Sequence, residues 1–307
     1  MDRTYHVPVM LEESIAGLNI KNNGLYADLT FGGGGHSKAI LDTNKTIKLF
    51  AFDKDSEAEL NAEALQDTTE YKERLYFFKS DYRYVKNFID YSEEGKLNGV
   101  IADLGVSSHQ FNEAERGFSF KKSADLDMRM NRKSEKTAAT IVNEYTYEEL
   151  KRIFKLYGEL KKAGYFAKLI SEYRVEKKLI TTDDLNEAVQ KALPKYNEYK
   201  VLAQLYQALR IETNDEMGGL EKMLTALPEI IQKGGRLVVL TYHSLEDRMV
   251  KNFIKSGNID GIVKSDIYGN KETEFKFLKP KFRLPSANEI EQNSRAASAK
   301  LRIAEKL

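Results

Sequence analysis

The stretch YADLTFGGGGHSKAI, residues 26–40, places four consecutive glycines, Gly32 to Gly35, between a β-rich run and a helical pattern. A strand, a glycine turn and a helix bring free backbone N–H groups and the positive end of a helix dipole to one place, where a phosphate, a carboxylate or a ribose can approach. Glycine clusters also mark simple tight turns. The acid at the end of the next β-rich run, Asp53, favours a nucleotide-like ligand, because it can accept hydrogen bonds from ribose hydroxyls.

The first third of the chain alternates β-rich runs with helical patterns, which is typical of a parallel sheet with crossover helices. The predicted strands are residues 25–29, 47–52, 75–78 and 99–102. Ligands of such sheets bind beyond the carboxyl ends of the strands. We therefore expect the site residues to lie in the loops that follow these strands.

Helical signals replace the strand signals over residues 112–199, and sheet signals return in RLVVLTY, residues 236–242, and at residues 299–307. We therefore predict one α/β domain made of residues 1–111 and 200–307, interrupted by an inserted helical domain at 112–199. Two helix starts are marked by capping-box spacing, one at Thr146 with Glu149 and one at Ser244 with Asp247.

Two cofactors compete for the glycine loop. A dinucleotide would favour the pattern G-x-G-x-x-G, which Gly32, Gly34 and Ser37 fit imperfectly. An S-adenosylmethionine loop usually has an acid shortly before the glycines, and Asp28 supplies one. The sequence thus favours S-adenosylmethionine, and a nicotinamide-dependent oxidoreductase remains an alternative.

Asp103, in ADLGVSSHQF, ends the fourth predicted strand. In a methyltransferase sheet the loop at this position faces the transferred methyl group. An exocyclic base amine is a poor nucleophile, so an enzyme must hold it in line with the methyl group and accept its N–H bonds. Asp103 is a candidate for that acceptor, and capping of the turn or binding of the cofactor are equally open interpretations.

Charge and composition exclude several classes of protein. The 48 Lys and Arg residues nearly balance 47 Asp and Glu, so nucleic-acid binding would have to come from local patches. The absence of cysteine excludes disulfides and thiolate chemistry. With no signal peptide and no long apolar run, we expect a cytoplasmic protein without a membrane segment. The histidines lack accompanying carboxylates at metal-site spacing, so we expect no metal.

A series of longer motifs then resembles one known family. In order along the chain, these are TFGGGGHS, FDKD, ADLGVSS, ERGFSF, LDMRM, QALRIETNDE, GGRLVVLTYHSLEDR and AKLRIAEK. Together they resemble the RsmH (MraW) family of ribosomal RNA methyltransferases over almost the whole chain. The resemblance implies a Rossmann-like class I methyltransferase sheet with an inserted helical domain. It also implies methyl transfer from S-adenosylmethionine to the N4 amine of a cytidine in the decoding region of 16S ribosomal RNA.

The resemblance also implies site residues. Cofactor contacts are expected at Gly34, Gly35, His36, Asp53, Tyr82, Asp103 and Gln110. Asp103 is in addition the candidate catalytic residue. Arg116, Phe118 and Arg129 interleave basic and aromatic side chains, which suits phosphate contacts and stacking on an extruded base, so they are the candidate substrate-binding residues.

The implied partner is small-subunit ribosomal RNA, either as naked RNA or within the assembled small subunit. The sequence leaves open whether the protein forms a homodimer. A non-catalytic ribosome-assembly factor that keeps the methyltransferase fold remains the alternative function.

Overall fold

The computed structural model describes residues 8–105, 116–265, 268 and 272–307. In these residues seven strands form one sheet, in the order β3-β2-β1-β4-β5-β7-β6. The strands are β1 (Leu25–Asp28), β2 (Lys48–Asp53), β3 (Leu75–Lys79), β4 (Leu97–Asp103), β5 (Ile231–Thr241), β6 (Phe275–Phe277) and β7 (Lys300–Lys306). Strands β1 to β5 run parallel, and β7 pairs antiparallel with both β5 and β6. This is a Rossmann-like class I methyltransferase sheet, as the sequence predicts.

The described helices are α1 (Leu11–Leu18), α2 (Gly35–Thr43), α3 (Ser56–Gln66), α4 (Val85–Ser92), α5 (Ala138–Glu144), α6 (Tyr147–Leu156), α7 (Ala163–Glu176), α8 (Thr182–Val189), α9 (Glu198–Asn214), α10 (Glu216–Ile230), α11 (Ser244–Ser256) and α12 (Ala287–Gln292). The chain divides into two compact units. The sheet unit is Met1–Gly105 with Met217–Leu307, and the helical unit is Val106–Glu216.

The sheet unit has an apolar layer on each face of its sheet. In β5, Leu237 and Val239 belong to one layer, whereas Val238 and Leu240 belong to the other. Successive side chains of a strand point to opposite faces, so a strand covered on both faces reads as a continuous apolar run. This is why LVVL is recognisable as a strand from the sequence.

The helical unit has a core of its own, which includes Leu150, Phe154 and Phe166. Helix α9 contributes Leu205 and Leu209 to that core and packs on α5 and α6. The unit therefore extends to Glu216 rather than to residue 199, where the sequence places its boundary. The apolar spacing of α9 fits packing against either core, so the sequence alone could not assign this helix.

The capping boxes show one agreement and one difference. Thr146 and Glu149 cap α6 in both directions, as predicted. At α11 the cap is His243 with Glu246, one residue earlier than the predicted pair. Asp247 is engaged elsewhere, because its carboxylate accepts a hydrogen bond from Arg302 Nε at 2.6 Å. Within the described part of the chain, no helix is both long and apolar enough to cross a membrane.

Candidate active site

Three acids end adjacent parallel strands of the sheet unit. Asp28 ends β1, Asp53 ends β2 and Asp103 ends β4, and β1 pairs with both of the other strands. Thr30, two residues beyond β1, accepts a hydrogen bond from the backbone N–H of Asp103 at 2.6 Å. The parallel register therefore brings the acids to one edge of the sheet, where ligands of this architecture bind.

Asp53 holds the glycine loop. Its Oδ2 accepts a hydrogen bond from the Gly32 N–H at 2.8 Å, and its Oδ1 accepts one from the Asp55 N–H at 2.9 Å. Burial raises the pKa of Asp53, and these two backbone donors oppose the rise. Each carboxylate oxygen has a second lone pair, so Asp53 can still accept a ribose hydroxyl while it positions the loop.

Three of the four glycines differ in whether the structure has room for a side chain at their position. A Cβ at Gly34 would lie 2.8 Å from the Phe31 ring, and its φ of +77° already disfavours a side chain. A Cβ at Gly35 would lie 2.3 Å from Cγ of Pro8. At Gly33, in contrast, a Cβ would meet no atom within 4 Å. Gly34 and Gly35 are thus needed by the protein itself, and the open space for a ligand lies at Gly33, which the sequence did not single out.

Asp28 lies beneath the glycine loop and is almost fully buried. Its Oδ2 accepts a hydrogen bond from the Ser37 hydroxyl at 2.7 Å, and its Oδ1 accepts one from the Thr30 N–H at 3.1 Å. Burial raises the pKa of this carboxyl, against the opposing effects of His36 and Ser37. Asp28 therefore links the end of β1 to α2 through Ser37 and holds the start of the glycine loop through Thr30.

His36 occupies the first turn of α2 with only 6% of its surface exposed. Its Nδ1 lies 3.9 Å from Oδ2 of Asp103. Its Nε2 is buried and has no hydrogen-bond partner among the described residues. Burial lowers the pKa of His36, which the charge of Asp28 only partly offsets, so the ring is neutral at neutral pH. Direct contact of His36 with a cofactor stays a prediction.

Asp103 is hydrogen-bonded to Tyr242, and its pKa is raised. The Tyr242 hydroxyl donates a hydrogen bond to Asp103 Oδ1 at 2.6 Å. Burial, together with the charge of Glu246, raises the pKa of Asp103 to about 7, although the Tyr242 hydrogen bond opposes the rise. Burial and the charge of Asp103 in turn raise the pKa of Tyr242, so Tyr242 remains a protonated donor.

The two oxygens of Asp103 are not equivalent. Oδ1 is occupied by Tyr242, whereas Oδ2 receives no hydrogen bond within the described ranges. A quarter of the Asp103 side chain is exposed. A carboxylate with one fixed oxygen and one free, partly accessible oxygen is equipped to accept a proton or an N–H group.

Tyr242 is held by the start of α11. Its backbone N–H donates to Glu246 Oε2 at 2.9 Å, and the same carboxylate belongs to the capping box with His243. A Cβ at Gly105 would lie 3.1 Å from the Tyr242 ring. Two loops, after β4 and after β5, therefore meet at the Asp103–Tyr242 pair.

Comparison with known proteins places the chain in a methylase family. A sequence model described as the MraW methylase family matches residues 3–307. The chain belongs to this family. A protein of Parabacteroides distasonis named ribosomal RNA small subunit methyltransferase H is 48% identical over 308 residues, covering 100% of this chain and 99% of its own length.

Other relatives are similar in extent. A protein of Phocaeicola vulgatus with the same name is 48% identical over 303 residues, covering 98% of this chain and 97% of its own length. A solved rRNA methylase from Streptococcus thermophilus aligns with 97% of this chain and 95% of its own, at 13% identity and a TM-score of 0.41. The family model and the two curated relatives, rather than the solved structure, confirm the resemblance to the MraW family seen in the sequence motifs.

Tyr82 and Gln110 are the other two predicted cofactor residues. Tyr82 begins a single turn of 3-10 helix directly beyond β3 and packs against the apolar layer of the sheet unit. The N-cap of this turn, Asp81, accepts a hydrogen bond from the Arg83 N–H at 3.0 Å. Tyr82 thus lies at the same edge of the sheet as the acids. Gln110 lies outside the described residues.

The predicted substrate-binding residues are engaged within the helical unit. Phe118 is buried in the core of that unit, with 7% of its surface exposed. Arg116 donates from Nη2 to the carbonyl oxygens of Arg129 and Met130. Arg129 forms a bidentate pair with Asp127, at 2.7 and 2.8 Å. In this conformation Phe118 has no open face for a base, so RNA contact by these three residues stays a prediction that requires the segment to rearrange.

Tyr242 is the functional candidate that the sequence did not assign. YHSLEDR is a recognisable motif, but its histidine and serine are more obvious candidates than its tyrosine, because histidine and serine are more common in catalysis. The signal that could have found Tyr242 is positional. It directly follows β5, the strand that pairs with β4, so its side chain had to lie near that of Asp103.

Proposed function

We propose that this protein methylates the N4 amine of a cytidine in the decoding region of 16S ribosomal RNA, with S-adenosylmethionine as the methyl donor. The observation that carries the proposal is the Asp103–Tyr242 pair at the carboxyl edge of the sheet. Curated relatives named ribosomal RNA small subunit methyltransferase H support the substrate class. The partner is accordingly the small-subunit RNA, free or in the assembled subunit.

The residues around the glycine loop fit this cofactor. Gly33 leaves open space beside the backbone, and the remaining lone pairs of Asp53 suit the two ribose hydroxyls. Tyr82 offers an aromatic ring to adenine, and Gly34, Gly35, His36 and Gln110 remain proposed contacts. S-Adenosylmethionine would supply an electrophilic methyl group on a positively charged sulfur.

Asp103 has the features needed to activate the amine. Its Oδ2 accepts a hydrogen bond from one N4–H group, and this hydrogen bond directs the nitrogen lone pair at the methyl carbon. The cofactor would supply the methyl group for the new N–C bond, and the electron pair of its C–S bond would stay on sulfur. Asp103 then takes the proton that N4 loses and releases it to water. A base with a pKa of about 7 is matched to this task near neutral pH.

Tyr242 is proposed as the positioning residue for Asp103. Its hydrogen bond fixes the carboxylate plane and leaves Oδ2 directed away from Tyr242. It also favours the ionised form of Asp103, because the hydroxyl donates to that form. Tyr242 thereby opposes the rise in the pKa of Asp103 that burial causes, so a substantial fraction of this carboxyl is ionised near neutral pH.

The proposal is tested by methyl transfer to small subunits. Subunits from cells that lack this protein are incubated with labelled S-adenosylmethionine, and their RNA is digested to nucleosides for mass spectrometry. We expect label in N4-methylcytidine, placed in the decoding region by fragment mapping, and none with Asp103→Asn, which keeps the shape but cannot take a proton. Label in another nucleoside would contradict the proposed substrate, and tight subunit binding without transfer would favour the non-catalytic assembly factor.

A further inference from the structure

The helical unit carries an aromatic surface that the proposed chemistry does not use. The rings of Phe120 and Tyr199 stack, with centroids 6.0 Å apart and planes inclined by 26°. Tyr206 supports Phe120 edge-on at 5.6 Å. Tyr199 is 70% exposed, and it lines an open cleft together with Phe120 and Lys121. The outer ring of this stack therefore faces solvent and has no protein group covering it within the described residues.

Hydrogen bonds hold the stack in place from behind. The carbonyl of Phe120 accepts a hydrogen bond from Asn186 Nδ2 at 3.1 Å, and the carbonyl of Lys122 accepts one from the Thr182 hydroxyl at 2.9 Å. The Tyr206 hydroxyl lies 3.1 Å from Asn186 Oδ1. The segment that carries Phe120 is thus fixed to α8, and a ligand that stacks on Tyr199 would not have to order it. Pre-organisation of this kind lowers the entropy cost of binding.

Positive charge without a neutralising partner lies next to the stack. Lys121 and Lys122 follow Phe120 in the chain, and Lys200 follows Tyr199. All three side chains are exposed, and none forms an ion pair within the described ranges. Glu198, in the first turn of α9, is the acid next to Tyr199 in the chain. Three lysines and one acid thus adjoin the two rings in the chain, and Asp183 of α8 is a second acid, whose charge acts on the Tyr206 hydroxyl.

Two basic residues elsewhere in the same unit differ in this respect. Lys151 is paired with Glu148 at 3.1 Å, and Arg152 is paired with Glu212 at 3.3 Å. Charges that are already paired offer less to a phosphate backbone. Lys121 and Lys122 differ from these two residues, because they form no ion pair within the described ranges and lie next to an exposed aromatic face.

We propose that the Phe120–Tyr199 stack is a binding platform for an unpaired base of the RNA substrate, with Lys121 and Lys200 contacting the adjacent phosphates. Every base has a π face, so stacking on an exposed ring binds single-stranded RNA with little sequence preference, and lysines supply the salt-dependent part. The proposal rests on the proposed function and adds to it a specific RNA-contact surface. The ligand that we expect at this surface is single-stranded RNA rather than a protein.

A fluorescent reporter tests the contact directly. The chain has no tryptophan, so Tyr199→Trp introduces a single indole at the exposed face of the stack. A base that stacks on this indole should quench its emission in a saturable way when a single-stranded fragment of 16S ribosomal RNA is added. Emission that stays unchanged while the fragment binds, as measured by anisotropy of a labelled RNA, would overturn the proposal. Quenching by an acidic peptide but not by RNA would also overturn it.

Substitutions separate stacking from a general effect on the fold. Tyr199→Ala should weaken binding of the RNA fragment about tenfold or more, whereas Tyr199→Phe should retain it. The matched control is Tyr196→Ala, because Tyr196 is 85% exposed and has no ring contact in the described part of the chain. Equal loss in Tyr199→Ala and Tyr196→Ala, or equal loss in Tyr199→Ala and Tyr199→Phe, would contradict a stacking contact.

A kinetic measurement distinguishes failure of the platform from failure of the proposed function. Tyr199→Ala should raise KM for the RNA and leave kcat and S-adenosylmethionine affinity unchanged. Lys121→Ala should lower the slope of log affinity against log salt by about one. If the wild-type protein transfers no methyl group, the proposed function fails, but the RNA-binding comparison of these variants still decides the platform.

Discussion

The sheet unit and the helical unit engage their predicted site residues in opposite ways. At the edge of the sheet, Oδ2 of Asp103 receives no hydrogen bond from the described residues, and the pKa of Asp103 is raised to about 7. In the helical unit, Phe118 is buried and Arg129 is paired with Asp127. Residues with unsatisfied bonding capacity are poised for a ligand, whereas residues whose contacts are internal stabilise the fold. In this structure the predicted residue at a strand end therefore has an oxygen available for a ligand, whereas the predicted substrate-binding residues Phe118 and Arg129 have their contacts within the helical unit.

The largest expected effect falls on Asp103. Asp103→Ala should lower kcat for methylation by about 10²–10⁴-fold, because it removes the proposed proton acceptor. The fold should persist, since Asp103 ends a strand and is partly exposed. The measurement is single-turnover transfer of labelled methyl, with S-adenosylmethionine affinity followed by calorimetry. Losses of equal size in rate and in cofactor affinity would make Asp103 a binding residue only.

Phe118 should show the opposite pattern. Phe118→Ala removes a buried ring from the helical core, so it should lower the free energy of unfolding by about 3–5 kcal/mol. Phe118→Leu keeps most of the volume and serves as the control, with a smaller loss. Urea denaturation followed by circular dichroism measures both. A Phe118→Ala variant of unchanged stability that has lost RNA binding would instead support the direct stacking role predicted from the sequence.

Some elements of the fold are predictable from the sequence and others are not. The strands β1, β2 and β4 and the acids that end them are predictable, because parallel strands covered on both faces give apolar runs and topology fixes where the runs end. The edge strand β6, of three residues, gives no such pattern. The assignment of α9 to the helical unit also escapes prediction, since its apolar face fits either core.

Within the site, the sequence predicts which loops contain the candidate residues, but it does not predict the hydrogen bonds that those residues form. Asp53 lies where the spacing predicts, and its bond to Gly32 is a detail of loop geometry that no periodicity encodes. The hydrogen bond from Tyr242 to Asp103 joins residues that are 139 positions apart in the chain. Such a contact depends on the pairing of β4 with β5, which becomes evident only once the sheet order is known.

A smaller effect separates the glycines that the fold needs from the one that leaves room for a ligand. Gly35→Ala should lower the free energy of unfolding by about 1–3 kcal/mol, because its Cβ collides with Pro8. Gly33→Ala meets no atom within 4 Å, so thermal stability should be retained. If the cofactor approaches at Gly33, S-adenosylmethionine affinity should still fall. Unchanged affinity in Gly33→Ala would show that the cofactor binds elsewhere on the loop.

The central claim is that Asp103, oriented by Tyr242, accepts the amine proton, and the pH dependence of kcat tests it most directly. The acceptor is the ionised form, and its pKa is raised to about 7, so the rate should rise with pH through about 7 and level off above it. Tyr242→Phe removes a hydrogen bond that favours the ionised form, so the rising limb should move to higher pH while the plateau changes less. A limb that stays in place in Tyr242→Phe, with a uniform loss of rate at every pH, would contradict the account.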